Sequence, residues 1–210
     1  RGKIAEEIQR IIESLPRDGF IGVASTVSTP DIIRGAHRVD NRIACIEAAR
    51  RLHGAIGSLV IVGGEQFGVA SFDDAGNYLN YRSNSSCAAG TGSFLDQQAR
   101  RLGLSIGEFA ELALANTKEP PRIASRCAVF AKTDLIHAQQ VGHTVEEICD
   151  GLCMGLARNI RDTLFSAEKP RLPLVMAGGV SKNRAVVRHL ESLLGVTIHI
   201  SEHSHLFGAL

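Results

Sequence analysis

No apolar run in this sequence is long enough to cross a bilayer. The longest, SLVIVGG and LPLVMAGG, fall far short of the roughly 20 residues a spanning helix needs, and no charged-then-apolar leader opens the chain. That predicts a protein without membrane spans and a cytoplasmic location. An excess of one charge is also lacking. Lys and Arg total 23 against 22 Asp and Glu, for a net charge of +1, and the basic residues are scattered. This leaves no electrostatic footprint for nucleic acid or an anionic membrane. The 5 cysteines form no tight framework and no CxxC pair, which argues against a secreted disulfide scaffold and for reduced thiols. Internal repeats, the Rossmann fingerprint and the Walker A sequence are all missing. What the chain does have is 210 residues, 44% of them hydrophobic, enough to bury the core of one large domain or two small ones.

The periodicities alternate. Ile4, Ile8, Ile11, Ile12 and Leu15 recur at helical spacing until Pro16. GFIGVAST reads as a short buried strand. DIIRGAHRVDNRIACIEAARRLHG reads as a helical region, broken near Gly35 and ended by Gly54. SLVIV, FGVASF and a shorter segment returning after the DDAGN turn read as strands. Helical patterns then cover residues 94–102 and 105–115. After the loop NTKEPPRI they resume in SRCAVFAKTDLIHAQQVG and in TVEEICDGLCMGLARNIRDTLFS, which opens on a Thr144/Glu147 capping box. PLVMAGGV and VTIHISE are predicted strands around a helix capped by Ser181. Short apolar strands alternating with helices indicate an α/β fold with a partly parallel sheet.

Three glycine-rich turns stand where ligands bind in such folds. Gly63 and Gly64 end one apolar strand, and Gly178 and Gly179 end another. Gly90, Thr91 and Gly92 precede a helix, where exposed N–H groups and the helix dipole favour an anion. Together the three turns suggest a nucleotide, with Lys182 and Asn183 placed to reach an adenosine.

The cysteines divide by their neighbours. Cys45, Cys149 and Cys153 read as small buried hydrophobes, the last two sharing a helix face with Leu152 and Leu156 close by. Cys87 and Cys127 have small or polar neighbours and stand at helix starts, which favours the thiolate as a metal ligand. Two thiolates are half of what an iron–sulfur cluster needs, and a symmetric dimer supplies the other half.

The segments NSSCAAGTGSFLDQQARRL, IASRCAVFAKTDLI and AGGVSKNRAV resemble the signatures of the BadF/BadG/BcrA/BcrD ATPase family, the activators of 2-hydroxyacyl-CoA dehydratases and benzoyl-CoA reductases. VGGEQFG with SRCAVFAKTD most resembles the form found as a domain of large, multidomain activator-like proteins. The resemblance runs from about Ser58 to Leu210, and residues 1–57 match only in general pattern. It implies an actin/hexokinase/Hsp70-like (ribonuclease H-like) ATPase fold with an ATP cleft between two subdomains. Residues 1–57 would then be the remainder of the first subdomain, lacking its first strands, and 58–210 the second. It further implies a homodimer in which Cys87 and Cys127 of both subunits hold one 4Fe–4S cluster, whose electron passes at low potential to a dehydratase or reductase partner. Gly63, Gly64, Gly90, Thr91 and Gly92 would cradle the phosphates with Mg²⁺. Gly178, Gly179, Val180 and Asn183 would hold the adenosine, and Glu65 would orient the attacking or magnesium-bound water. Smaller activators carry an acidic residue before the first glycine pair and Gln-Asp after it; here Ile61 and Val62 precede and Glu65 and Gln66 follow.

Two other readings compete. A small-molecule kinase of the same superfamily needs an Asp over its substrate, which GGEQ does not supply, while Asp96 and Asp134 lie beside the cysteine motifs. A non-catalytic zinc domain would want four ligands. His137 and His143 are the few histidines near the cysteines, and His199, His203 and His205 read as a solvated strand and loop.

Overall fold

The computed structural model describes residues 4–15, 22–33, 35–84, 91–124 and 127–210. The chain opens with α1 (Ile4–Ser14), which keeps its helical period but leaves Ile11, Ile12 and Leu15 exposed. β1 (Ala24–Thr26) is half-exposed, not the buried strand that GFIGVAST suggested, and pairs in parallel with β2 (His37–Val39). The expected helix over residues 31–53 is therefore shorter than its periodicity. The break comes near Gly35, as expected, at a φ of 78°; residues 31–33 before it are not helical, and Asp40 starts the helix by accepting the N–H of Arg42 at 2.8 Å. The resulting α2 (Asn41–His53) ends at Gly54, as predicted.

A 5-stranded mixed sheet follows. β3 (Ser58–Val62), β4 (Phe67–Phe72) and β5 (Tyr78–Ser83) run antiparallel. The β4–β5 turn is closed by the Asp73 carboxylate, which accepts the N–H groups of Ala75 and Asn77. Four helices then pass over one face: α3 (Gly92–Arg101), α4 (Ile106–Ala115), α5 (Ala128–Gln140) and α6 (Val145–Leu164). The capping box at the head of α6 is present: the Thr144 hydroxyl accepts the Glu147 N–H at 3.3 Å and the Glu147 carboxylate accepts the Thr144 N–H at 3.4 Å. β6 (Leu174–Ala177) pairs in parallel with β3. A short 3₁₀ turn, Gly179–Lys182, leads to α7 (Arg184–Leu194) and β7 (Ile198–His199), which reduces VTIHISE to a two-residue strand. The predicted cap also moves. Asn183, not Ser181, caps α7 by accepting the Val186 N–H at 3.1 Å, because residues Gly179–Lys182 form the 3₁₀ turn and the α-helix starts only at Arg184.

The sheet is covered on both faces, which is why its strands are apolar at consecutive positions instead of alternating. Val60, Val62 and Met176 face α6, whose Ile148, Leu152, Leu156 and Ile160 are fully buried together with Cys149 and Cys153. Leu59, Ala70 and Val175 face the opposite way, against Cys45, Ala48 and Ala49 of α2 and against Phe207. Each fully buried Leu or Phe contributes about 1.5–3 kcal/mol to holding the helices on the sheet. Among the described residues no helix is long and apolar enough to cross a membrane.

Candidate functional site

β3 and β6 are parallel neighbours, so their glycine pairs leave the same end of the sheet side by side. Gly178 has φ 92°, and a Cβ there would overlap the Val62 carbonyl group, so only glycine fits this crossing. α3 begins directly over the first pair. The N–H of Gly92 donates to the Gly63 carbonyl at 3.0 Å, and that of Ser93 to the Gly64 carbonyl at 2.9 Å. A Cβ on Gly92 would lie 3.0 Å from Val180 Cγ2 and 3.1 Å from the Gly63 carbonyl oxygen. Residues of all three glycine turns thus meet within contact distance.

A cavity of about 290 Å³ opens where they meet. Gly63, Gly64 and Gly92 line one part of it, Gly179, Val180 and Lys182 another, and Ile106, Gly107 and Ala110 of α4 a third. Leu95, Asp96 and Asn183 complete the lining, so most of the wall is apolar. The volume is at the lower end of the range for small-molecule sites, room for a base and sugar more than for a whole nucleoside triphosphate. Gly63 and Gly64 also border a second, larger cleft of about 830 Å³, which contains Glu65, Gln66, Ser28 and Asp40. There the Arg42 guanidinium, hydrogen-bonded to Asp40, holds that carboxyl down at about 2.

The structure brings together Gly63, Gly64, Gly92, Gly179, Val180 and Asn183 on one cavity, and places Glu65 beyond it in the larger cleft. Gly178 serves as the crossing beneath. Two details differ from the sequence-based expectation. The N–H groups of Gly92 and Ser93 are already spent on the first glycine turn, so a phosphate that uses them must displace the carbonyls of Gly63 and Gly64. The Asn183 side chain is occupied too: its Oδ1 caps α7 and its Nδ2 donates to Cys153 Sγ at 3.5 Å, so it shapes the cavity from behind. Thr91 is buried as the residue before α3. Gly90 and Cys87 lie outside the described residues.

Five lining residues were not assigned to this site from the sequence: Leu95 and Asp96 of α3 and Ile106, Gly107 and Ala110 of α4, none of which belongs to a glycine turn. The one available signal was the i, i+3 pair of small residues in SIGEFAELA, which leaves a slot on one face of α4.

Cys127 is the residue before α5; it is a free, partly exposed thiol whose side chain makes no capping hydrogen bond. Val129 and Phe130 stand 70% and 65% exposed beside it, an unusual place for two large apolar side chains. Asp134 fastens α5 to the preceding loop by accepting the Ala124 N–H at 2.8 Å. Among the described residues no three His, Cys, Asp or Glu side chains come together as a metal site.

The chain has the fold of the actin/hexokinase-like ATPases. The structure of xylulose kinase from Rhodospirillum rubrum superposes with a TM-score of 0.51 at 15% identity, over 83% of this chain and 41% of the kinase. The activator of 2-hydroxyisocaproyl-CoA dehydratase from Clostridium difficile, solved with bound ADPNP, reaches a TM-score of 0.87 at 24% identity, over 96% of this chain and 77% of that one. Within this class the chain belongs to the BadF/BadG/BcrA/BcrD ATPase family, whose profile matches residues 29–210 and so reaches further toward the N-terminus than the signature segments do. The 2-hydroxyisocaproyl-CoA dehydratase activator of Clostridioides difficile is 29% identical over 73% of this chain and 57% of its own length. The (R)-2-hydroxyglutaryl-CoA dehydratase activating ATPase of Acidaminococcus fermentans is 33% identical over 73% of this chain and 58% of its own length. The chain thus spans somewhat less than six-tenths of each of these two relatives.

Proposed function

We propose that the cavity where the three glycine turns meet is an adenine-nucleotide site, and that this chain is the ATP-binding part of an activator of a 2-hydroxyacyl-CoA dehydratase or benzoyl-CoA reductase-type enzyme. The convergence of Gly63–Gly64, Gly92 and Gly179–Val180 on one largely apolar pocket carries the reading. The related dehydratase activators, one of them solved with ADPNP, support it. On this reading the phosphates and Mg²⁺ lie toward Gly63 and Gly64, at the border of the larger cleft, and the base packs against α4. Glu65 reaches the phosphate end from the cleft and orients a water there.

Cys87 and Cys127, with the same pair from a second subunit, are the proposed ligands of a 4Fe–4S cluster, and Val129 and Phe130 offer that subunit an apolar surface. When bound, the cluster supplies one electron at low potential to the partner enzyme. The chain's own part is mechanical. A phosphate that takes the N–H of Gly92 must displace the Gly63 carbonyl, and α3 follows directly on the segment that carries Cys87. In sequence, the segment that bears Cys87 and the proposed phosphate contact at Gly92 thereby meet at the start of α3.

The test is purification without oxygen, reconstitution with iron and sulfide, and measurement of iron, protein and solution mass. A brown dimer with about four irons per two chains, lost in Cys127→Ser, is the expected result. A colourless wild-type protein that still binds ATP would refute the cluster and leave the nucleotide site standing.

A further inference from the structure

The nucleotide cavity contains one carboxylate that none of its other features explains. Asp96 lines an otherwise mostly apolar wall. It makes no hydrogen bond or ion pair with the described residues, although Lys182 lines the same cavity. A carboxylate facing a pocket for an anionic ligand repels that ligand's phosphates, so its place along the pocket decides whether it harms or helps.

That place follows from the helix. Asp96 is four residues after Gly92, so the two share a face of α3 and stand about 6 Å apart along its axis. Gly92 is at the glycine end, against Gly63 and Val180. The slot formed by Ile106, Gly107 and Ala110 provides the flat, apolar walls suited to a base. One helical turn beyond the phosphates and short of the base is the length of a sugar ring. There the ligand offers no negative charge and two adjacent hydroxyl donors, and a carboxylate is an acceptor with two oxygens.

We propose that Asp96 is the sugar-reading residue of this pocket, accepting hydrogen bonds from the vicinal ribose hydroxyls and making the site selective for ribonucleotides over deoxyribonucleotides. The assignment rests on the adenine-nucleotide reading above. It gives the carboxylate a partner, keeps it a full helical turn from the glycine end, and fixes the direction in which the nucleotide lies, phosphates at Gly92 and base at α4.

The experiment is calorimetric titration of the whole chain with ATP, 2′-deoxyATP and 3′-deoxyATP at fixed Mg²⁺, for the wild type, Asp96→Asn and Asp96→Ala. The wild type should bind ATP roughly tenfold to 100-fold more tightly than at least one deoxy analogue, the weight of a hydrogen bond to a charged acceptor. Asp96→Ala should bind ATP and that analogue equally, at the analogue's wild-type affinity, and Asp96→Asn should fall between. Equal binding of all three nucleotides by the wild type would overturn the assignment without any variant. So would a preference for ribose that survives in Asp96→Ala. If the wild type binds none of the three, the nucleotide reading itself fails and takes Asp96's role with it, an outcome distinct from loss of selectivity alone.

Discussion

Gly92→Ala is the smallest change that separates a packing constraint from a plain helix start. Gly92 is the first residue of α3, and its φ is not in the left-handed region, so alanine can adopt the backbone conformation. Helix propensity alone would favour the substitution by about 0.5–1 kcal/mol. Packing opposes it. The added methyl would stand 3.0 Å from Val180 Cγ2 and 3.1 Å from the Gly63 carbonyl oxygen, with the Gly64 Cα at 3.5 Å. Val180 can retreat by a few tenths of an ångström, but the Gly63 carbonyl is held by the very N–H of Gly92 at 3.0 Å. Overpacking of this kind costs about 1–3 kcal/mol. Set against the propensity gain, the net is a loss of up to about 2.5 kcal/mol, a drop of up to about 10 °C in melting temperature for a domain of this size. Nucleotide binding should suffer more, because the methyl also occupies the edge of the cavity where phosphate must come close to backbone. Thermal melting and ATP titration of the same samples measure the two effects separately. A folded Gly92→Ala that binds ATP as tightly as the wild type would show that the three glycine turns do not form the phosphate end of the site.

Two further expectations rest on buried polar and thiol groups. Burial raises the Asp150 carboxyl, but the hydrogen bonds from His189 (2.6 Å) and Asn116 (3.0 Å) and the charge of Arg188 outweigh it and leave its pKa below the usual value. A lowered folded pKa stabilises above the unfolded value near 4 and loses its contribution as pH falls through the folded one. The melting-temperature advantage of wild type over Asp150→Asn should therefore be full above about pH 5 and shrink below about pH 4, which melting curves across that range would check; a gap independent of pH would contradict it. Burial pushes the Cys45 thiol to about 11 and the Cys149 thiol to about 12, and raises Cys153 as well. Iodoacetamide should accordingly label Cys127 in the native protein well before these three, as mass spectrometry of digests would show; early modification of Cys149 or Cys153 would mean that α6 is not the packed core helix described above.

Much of the fold was readable because local signals agreed with tertiary demands. The three strands after residue 58 follow from continuous apolar runs bounded by turn residues, and α6 follows from its capping box and long 3.6-residue period. The misreadings share a cause, which is that the deciding interaction was not local. HRV carries no strand pattern of its own and becomes β2 only because Ala24–Thr26 lies alongside it. Ser181 and Asn183 are both good helix caps, and the choice between them was made by the 3₁₀ turn after Gly178, which takes in Ser181 and delays the α-helix to Arg184. The same distinction holds at the site. Glycine pairs at strand ends advertise themselves, whereas Asp96, Gly107 and Ala110 become part of the pocket only through the way α3 and α4 lean over the sheet.

That difference bears on the thiol beside the glycine turn. A glycine turn can be recognised alone, and a cysteine cannot. What gives Cys87 meaning is that the segment bearing it leads directly into α3, whose first two N–H groups grip the carbonyls of Gly63 and Gly64. Any ligand that competes for those N–H groups must either be excluded by the β3–β4 turn or pull α3 away from it. In the second case the start of α3 cannot move by itself, because Phe94 and Leu95 pack its first turn into the core and Gln98 and Ala99 are buried one turn further on. Ligand binding at this turn therefore works against two things at once, the hydrogen bonds to Gly63 and Gly64 and the core packing of the first turn of α3.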